Sequence, residues 1–217
     1  MKKIIIVSAF LSAFMFASCA GVLTVKAPGI SGGKIVKEKK KKRVKPVLFE
    51  DFEAGVAVGA YMYENEEGNA SAEKLTATDE DKYAGNYSAK SEFDTGIHPD
   101  WGCGMGTQSA YGGGFIEIKG TDTFTAWVKA PPGMTFYFFC NEFNGEGGDG
   151  EFWNSPDQMG TGAWKYYEIP FDMFFKNAYS GNQDGNSSID PVIGTVGFQF
   201  AGAQGKGTVY IDEIYFK

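Results

Sequence analysis

Arginine and histidine are almost missing from this chain. Arg43 is the only arginine and His98 the only histidine among the 217 residues. Arginine is the residue that binds phosphate or carboxylate groups with two parallel hydrogen bonds, so sites of that kind are disfavoured. A single histidine excludes a zinc site built from several histidines. His98 lies in "GIHPDWG", whose turn residues predict a surface loop.

Several motifs of common enzyme classes are also missing. The sequence has no GxSxG nucleophile elbow, no phosphate-binding P-loop and no dinucleotide fingerprint. The glycines of "GGGFIEIKG" precede a strand, where they indicate a turn or bulge. The 27 acidic residues would supply a glycosidase pair, but none stands in a motif that separates an acid from a nucleophile. A glycoside-active enzyme is therefore the less favoured hypothesis.

The N-terminus has the layout of an export signal. Residues 1–18 combine two lysines, a short apolar stretch and small residues, which is typical of a secretory signal and too short for a membrane span. Cys19 follows in "FASCAG", which resembles the lipobox of bacterial lipoproteins, whose cysteine is diacylated after cleavage. We expect lipidation at Cys19 and a place in the cell envelope; ordinary cleavage with an unmodified thiol is the alternative.

Charge divides the remaining chain into two parts. Residues 19–45 have no apolar periodicity and a dense basic run, which predicts a disordered tether that either contacts anionic headgroups or is a solvated spacer. Residues 46–217 contain nine lysines and 26 acids, a formal net charge of −17. Such a surface repels nucleic acid, and the length suits one domain with a full core.

Two cysteines remain in the acidic part. Export would permit a disulfide between Cys103 and Cys140, and two buried thiols are the alternative.

Short aromatic and β-branched segments recur along residues 46–217. They are bounded by Gly, Asn, Asp or Pro, and no long window has a 3.6-residue apolar period; one or two helical turns at "PFDMFFKN" are the best exception. Strands without intervening helices favour antiparallel sheets, hence an all-β sandwich of jelly-roll type. The predicted strands are 47–53, 58–63, 73–79, 87–93, 114–119, 123–130, 134–143, 164–169, 193–200 and 208–216.

The last predicted strand, "GTVYIDEIYFK", contains two adjacent acids. Successive side chains of a strand point to opposite faces, so strict alternation places either Asp212 or Glu213 on the face of the large apolar residues. A buried carboxylate must be paired, hydrogen-bonded or bound to a metal. Alternation alone leaves open which acid is buried and what it binds.

Four segments together resemble a known family of binding modules. In order along the chain they are "LFEDFE", "WVKAPPGMTFYFF", "GAWKYYEIPFDMF" and "VGFQFAG" with "GTVYIDEIYF". Their order and spacing resemble carbohydrate-binding modules of the galactose-binding-like jelly-roll superfamily, closest to family 11, over nearly all of 47–217. The resemblance implies non-catalytic binding of β-glucans or related polysaccharides on a concave sheet face.

The resemblance also implies a structural calcium ion. In the family an acid of the first strand meets the Asp of the last strand, which here implies Glu53, with Asp51 as an additional ligand, and Asp212. Calcium takes six to eight oxygen ligands, so backbone carbonyls and water would complete the set. The alternative is that these acids lie at a solvated edge of the sandwich and bind no ion. The residues 181–190 have polar side chains at every second position, and an ordinary turn is the favoured reading there.

Polysaccharide binding requires flat apolar rings and hydrogen-bonding groups. Trp101 and Trp153 are flanked by loop residues, and Tyr61 shares a strand face with Tyr63. Alternation places Glu142 at a sheet edge and Gln199 opposite its apolar neighbours. The predicted sugar-binding residues are Tyr61, Trp101, Glu142, Trp153 and Gln199. A structural or adhesive envelope protein that uses the same fold for protein contacts is the alternative.

Overall fold

A computed structural model describes residues 44–143, 149–179, 181 and 186–217. The predicted signal segment, Cys19 and nearly all of the tether lie outside the described residues, as does part of the 181–190 loop. The strands, numbered in chain order, are β1 Val47–Glu50, β2 Tyr61–Glu64, β3 Ser71–Ala72, β4 Thr76–Thr78, β5 Ser88–Asp94, β6 Trp101–Thr107, β7 Ile116–Glu117, β8 Thr123–Lys129, β9 Thr135–Phe143, β10 Asp149–Asn154, β11 Gln158–Met159, β12 Lys165–Pro170, β13 Phe175–Lys176, β14 Val192–Ala201 and β15 Lys206–Phe216.

These strands form two antiparallel sheets. Sheet A has the order β12-β8-β15-β5-β3, with β1 paired to the end of β15 and β4 paired to β5. Sheet B has the order β13-β10-β9-β14-β6-β2, with β11 on β9 and β7 on β14. The strands pair in non-consecutive order, and the two sheets enclose a common core, so the all-β jelly-roll prediction is confirmed.

Phenylalanine dominates the core between the sheets. Phe124 of sheet A and Phe138 of sheet B approach to 4.9 Å between ring centroids, and Phe93 stacks on Phe200 at 4.0 Å. Alternation explains this, because every second residue of β8 and β9, and of β14 and β15 outside their register shifts, points inward. Full burial of a phenylalanine contributes about 1.5–3 kcal/mol.

Most of the predicted strands are present, with small shifts of their ends. The sequence prediction omitted two interior strands of sheet B: β6, "WGCGMGT", because glycine is poor in strands, and β10. The predicted helical turns at "PFDMFFKN" appear as a 3₁₀ turn, Phe171–Met173, and a second such turn is Glu66–Gly68. Within the described ranges, no helix has the length and apolar character to cross a membrane.

A bulge in β15 corrects the prediction of strict alternation. The pairing of β15 with β8 shifts register between Asp212 and Tyr215, and Glu213 has a φ of 52°. The inward residues are therefore Ile211 on one side of the bulge and Ile214 on the other. Because a bulge inserts one extra residue, neither acid has to share the core face.

The two thiols of the domain are free, which agrees with the second of the two alternatives left open by the sequence. Cys103 and Cys140 are both buried. Their strands, β6 and β9, lie on opposite sides of β14, where Cys140 pairs with Val196 and Gly104, next to Cys103, pairs with Gln199. The two cysteines are therefore separated by strand β14, and they also lie opposite different positions along it. Burial raises the pKa of Cys103 to about 12, which keeps this thiol protonated.

Candidate functional site

A groove crosses the outer face of sheet B. It has a volume of about 540 Å³ and crosses five adjacent strands, from β10 through β9, β14 and β6 to β2. With strands about 4.8 Å apart, this is a path of roughly 19 Å. Seven aromatic residues and three amides line it: Tyr61, Tyr63, Trp101, Tyr137, Phe139, Phe152, Tyr179, Asn154, Asn177 and Gln199.

Four of the rings form a continuous row. The ring centroids of Trp101 and Tyr63 are 6.2 Å apart, those of Tyr63 and Phe139 are 6.2 Å apart, and those of Phe139 and Phe152 are 5.8 Å apart. Successive rings are tilted by 44°, 47° and 46°. Phe139 is only 2% exposed and packs beneath its neighbours, whereas Trp101, Tyr63 and Phe152 are half-buried. These three rings therefore supply the surface that sugar rings could reach.

Glycines form the floor beneath this row. A Cβ on Gly104 would lie 2.2 Å from the Tyr63 ring, and one on Gly197 would lie 2.4 Å from the Phe139 ring. A Cβ on Gly106 would lie 2.8 Å from the Tyr61 hydroxyl. The tyrosine and phenylalanine rings can therefore lie close against the backbone of sheet B only because these positions carry no side chain.

Hydroxyl and amide groups in the groove hold one another in place. The Tyr63 hydroxyl donates a hydrogen bond to Gln199 Oε1 at 2.9 Å, and the hydroxyls of Tyr61 and Thr195 are 3.4 Å apart. Burial raises the pKa of Tyr63 well above its ordinary value and that of Tyr137 to about 12. These phenols stay neutral over the physiological pH range, where they donate and accept hydrogen bonds.

Three of the five predicted sugar-binding residues lie in the groove. Tyr61, Trp101 and Gln199 line it together, although they come from three different strands. Sugar binding by these residues stays a prediction.

Glu142 and Trp153 lie on the other side of sheet B, which corrects their assignment as exposed groups. Trp153 is 5% exposed and Glu142 is 4% exposed. Trp153 Nε1 and the backbone N–H of Asp190 both donate to Glu142 Oε1, each at 2.7 Å. Burial raises the pKa of Glu142, and these two hydrogen bonds oppose that effect. The glutamate thus holds the Trp153 indole and the chain at Asp190 in the interior.

The sequence reading missed other residues of the groove. Tyr137 and Phe139 alternate with the inward residues Phe136 and Phe138, so the same period-two argument would have placed them outward. The alternating glycines of β6 were a second signal, since they leave room for rings from neighbouring strands. Asn177 and Tyr179 follow β13 and had no local signal.

Asp212 lies outside the core and binds a loop over sheet A. It is 1% exposed, and its Oδ2 accepts hydrogen bonds from the backbone N–H groups of Tyr83 and Ala84, both at 3.0 Å. The N–H of Glu213 donates to Oδ1 at 2.8 Å. Burial raises the pKa of Asp212 to about 7, against these hydrogen bonds, which lower it.

The acids of the first strand region have similar partners. Glu53 accepts hydrogen bonds from Asn86 and from the N–H of Tyr87, and these bonds lower its pKa. Asp51 Oδ1 accepts from the Tyr111 hydroxyl at 2.7 Å. Glu50 was not among the predicted residues, yet it is fully buried and accepts from the N–H groups of Phe52 and Ala110.

These acids do not fit the calcium site that the resemblance implies. The described residues contain no group of three or more His, Cys, Asp or Glu side chains that could hold a metal ion. Both oxygens of Asp212 and both of Glu53 face N–H donors, whose positive ends repel a cation. The three predicted ligands instead hold loop backbone and a tyrosine, and calcium binding stays a prediction without support from their contacts.

Comparison with solved structures identifies a similar fold. A family 11 carbohydrate-binding module of a cellulosomal cellulase from Clostridium thermocellum matches with a TM-score of 0.60 at 18% identity, over 81% of this chain and 95% of that one. A family 11 module from the same organism, in complex with a β-1,3-1,4-mixed-linked tetrasaccharide, matches with a TM-score of 0.61 at 20% identity, over 81% and 96%. The resemblance seen in the sequence is thus confirmed at the level of the fold.

Comparisons of the sequence itself give no match, either to a protein-family model or to a curated protein.

Proposed function

We propose that this protein binds a neutral polysaccharide of the β-glucan type, without hydrolysing it, in the groove of sheet B. The row of four tilted rings across the outer face of sheet B is the observation that carries the proposal. Sugar rings pack their C–H faces on aromatic rings, while amides and hydroxyls bind the sugar hydroxyls. A path of roughly 19 Å suits several linked sugars better than one.

The uncharged lining supports a neutral ligand. None of the described residues that line the groove is Asp, Glu, His, Lys or Arg. Hydrolysis by the common mechanism requires two carboxyl groups beside the scissile bond, and this lining does not supply them. An anionic polysaccharide would find no cation in the groove and an acidic domain around it.

The similar fold supports the choice of glucan. One of the solved family 11 modules holds a mixed-linkage tetrasaccharide, which makes soluble mixed-linkage β-glucan the first ligand to test.

We further propose that the chain is exported and lipid-anchored through Cys19, so that the domain captures polysaccharide at the cell envelope. This part rests on residues 1–45 of the sequence. Mass spectrometry of the mature N-terminus tests it, and an unmodified Cys19 would overturn it.

Affinity electrophoresis in gels containing soluble mixed-linkage β-glucan tests the binding function. We expect retarded migration of the protein and loss of the retardation in Trp101→Ala. Tyr87→Ala is the matched control, because Tyr87 is an exposed aromatic residue that lines neither groove. Unretarded migration of the wild-type protein across a panel of neutral glycans would overturn the proposal.

A further inference from the structure

A second, smaller groove lies on the outer face of sheet A. It has a volume of about 270 Å³ and is lined by Pro46, Thr125, Trp127, Tyr166, Glu213, Tyr215 and Lys217. They come from β12, β8 and β15, from Pro46 just before β1 and from Lys217 just after β15. Strands β12, β8, β15 and β1 are adjacent in this part of sheet A. A groove across all four is about 14 Å long. We call it the sheet A groove.

Aromatic rings form one side of the sheet A groove. Trp127 and Tyr166 are paired across β8 and β12, with ring centroids 5.3 Å apart and a tilt of 46°. Tyr83 stacks on Trp127 at 3.6 Å with an angle of 13° between the rings. The indole is therefore fixed by a loop that Asp212 binds, which makes this side of the groove rigid.

The other side of the sheet A groove carries hydrogen-bonding groups. Glu213 occupies the bulge of β15 with a φ of 52°, a conformation that costs free energy for a residue with a side chain. Burial and the nearby Glu213 carboxylate raise the pKa of Tyr215 to about 12, so this phenol stays neutral. Lys217 Nζ lies 5.0 Å from the centroid of the Tyr166 ring and contacts the Tyr166 hydroxyl.

The chemistry of this groove therefore matches a hydroxylated ring. It combines aromatic surfaces with a carboxylate acceptor, an ammonium donor and phenol hydroxyls, and one acid and one base leave it with no net charge. Sugar hydroxyls both donate and accept hydrogen bonds, so they can use both kinds of group. Half the volume of the sheet B groove suits a shorter stretch of glycan.

We propose that the sheet A groove is a second glycan-binding site, and that the protein can bind two segments of β-glucan on opposite faces of the sandwich. This inference rests on the proposed function of the sheet B groove. Two sites on opposite faces cannot be filled by one short oligosaccharide. They would instead cross-link separate polymer chains, and multivalent contact would strengthen retention on a polysaccharide surface.

Calorimetric titration of the full chain with a mixed-linkage β-1,3-1,4 tetrasaccharide tests the second site. We expect two sites per chain in the wild type, one in Tyr166→Ala and one in Trp101→Ala. Light scattering with the soluble polymer should rise for the wild type and stay low for both variants. Glu213→Gln keeps the shape of the groove, and we expect it to weaken binding in the sheet A groove about tenfold, or 1.4 kcal/mol. Unchanged thermal midpoints of the variants show that each is folded.

The outcomes separate the two proposals. A single wild-type site that Trp101→Ala removes and Tyr166→Ala leaves intact would overturn the second site and support the proposed function. A single site removed only by Tyr166→Ala would place binding on sheet A and overturn the role of the sheet B groove. Absence of heat with the tetrasaccharide, together with unretarded migration in the polymer gel, would overturn both.

Discussion

The outer faces of the two sheets are both rich in aromatic rings, but the rings are held in different ways. On sheet B they lie on glycines and line an open groove, with Trp101, Tyr63 and Phe152 half-buried. On sheet A a loop containing Tyr83 stacks on Trp127 and is bound through Asp212 and Glu53. Aromatic content alone therefore does not define a binding face. The backbone beneath the rings and the loop above them decide how much ring surface a ligand can reach.

Filling the glycine floor should have the largest effect on glycan affinity, and only in the groove of sheet B. In Gly104→Ala the new Cβ would lie 2.2 Å from the Tyr63 ring, so the ring must move and lose its hydrogen bond to Gln199. We expect the affinity for mixed-linkage β-glucan to fall about tenfold or more, equivalent to 1.4 kcal/mol. Calorimetry would measure it.

Gly194→Ala is the matched control for this change. It lies in the same sheet, and its new Cβ would meet its nearest neighbour at an ordinary 3.5 Å. Equal losses of affinity in the two variants would show that the floor beneath Tyr63 has no special role.

Removing the loop-binding carboxylate should affect sheet A and the stability of the domain. Asn at position 212 keeps the shape but has one acceptor oxygen, while three backbone N–H groups point at the carboxylate. We expect Asp212→Asn to lower the free energy of unfolding by about 1–3 kcal/mol at neutral pH. Denaturant unfolding would measure the change.

Asp172→Asn, in an exposed 3₁₀ turn, is the control for Asp212→Asn and should change little. Binding in the sheet B groove should be preserved in both variants. Wild-type stability in Asp212→Asn would contradict the role of Asp212 in holding the loop.

The pH dependence of stability should also carry the signature of the Asp212 carboxyl group. Burial raises the pKa of Asp212 to about 7, whereas an unfolded Asp titrates near 3.9. Between about pH 4 and pH 7 the folded protein holds a proton that the unfolded chain has released, so this group stabilises less as the pH rises.

We therefore expect the stability advantage of the wild type over Asp212→Asn to shrink from pH 5 to pH 8 in thermal unfolding. The difference between the two proteins removes the contributions of other acids, such as Glu53, whose lowered pKa acts in the opposite direction. An advantage that grows with pH would show that the three hydrogen bonds outweigh burial.

Calcium should have the smallest effect on either face. Because the oxygens of Asp212 and Glu53 already accept N–H donors, we expect the thermal midpoint to be the same in chelator and in millimolar calcium. Differential scanning calorimetry in both buffers would test this. A rise of several degrees with calcium would restore the calcium site that the resemblance implies.

The sequence was informative wherever side chains alternate between the core and the surface. The same period-two rule found most strands and placed Tyr61 and Gln199 outward. It failed at Asp212 and Glu213, because a bulge adds a residue that the pattern does not reveal. The assignment of Trp153 rested instead on its flanking turn residues, and it failed because such residues do not show on which side of the sheet the ring lies.

The amino-acid sequence by itself determined the class of fold. Short β-branched and aromatic segments between turn residues can bury their apolar sides only by pairing into sheets that pack face to face. The tertiary structure decided the rest. Whether Trp101, Trp127 or Trp153 is open, covered or internal depends on glycines, carboxylates and loops that lie far away in the chain. Such contacts join distant residues, so no local pattern could specify them.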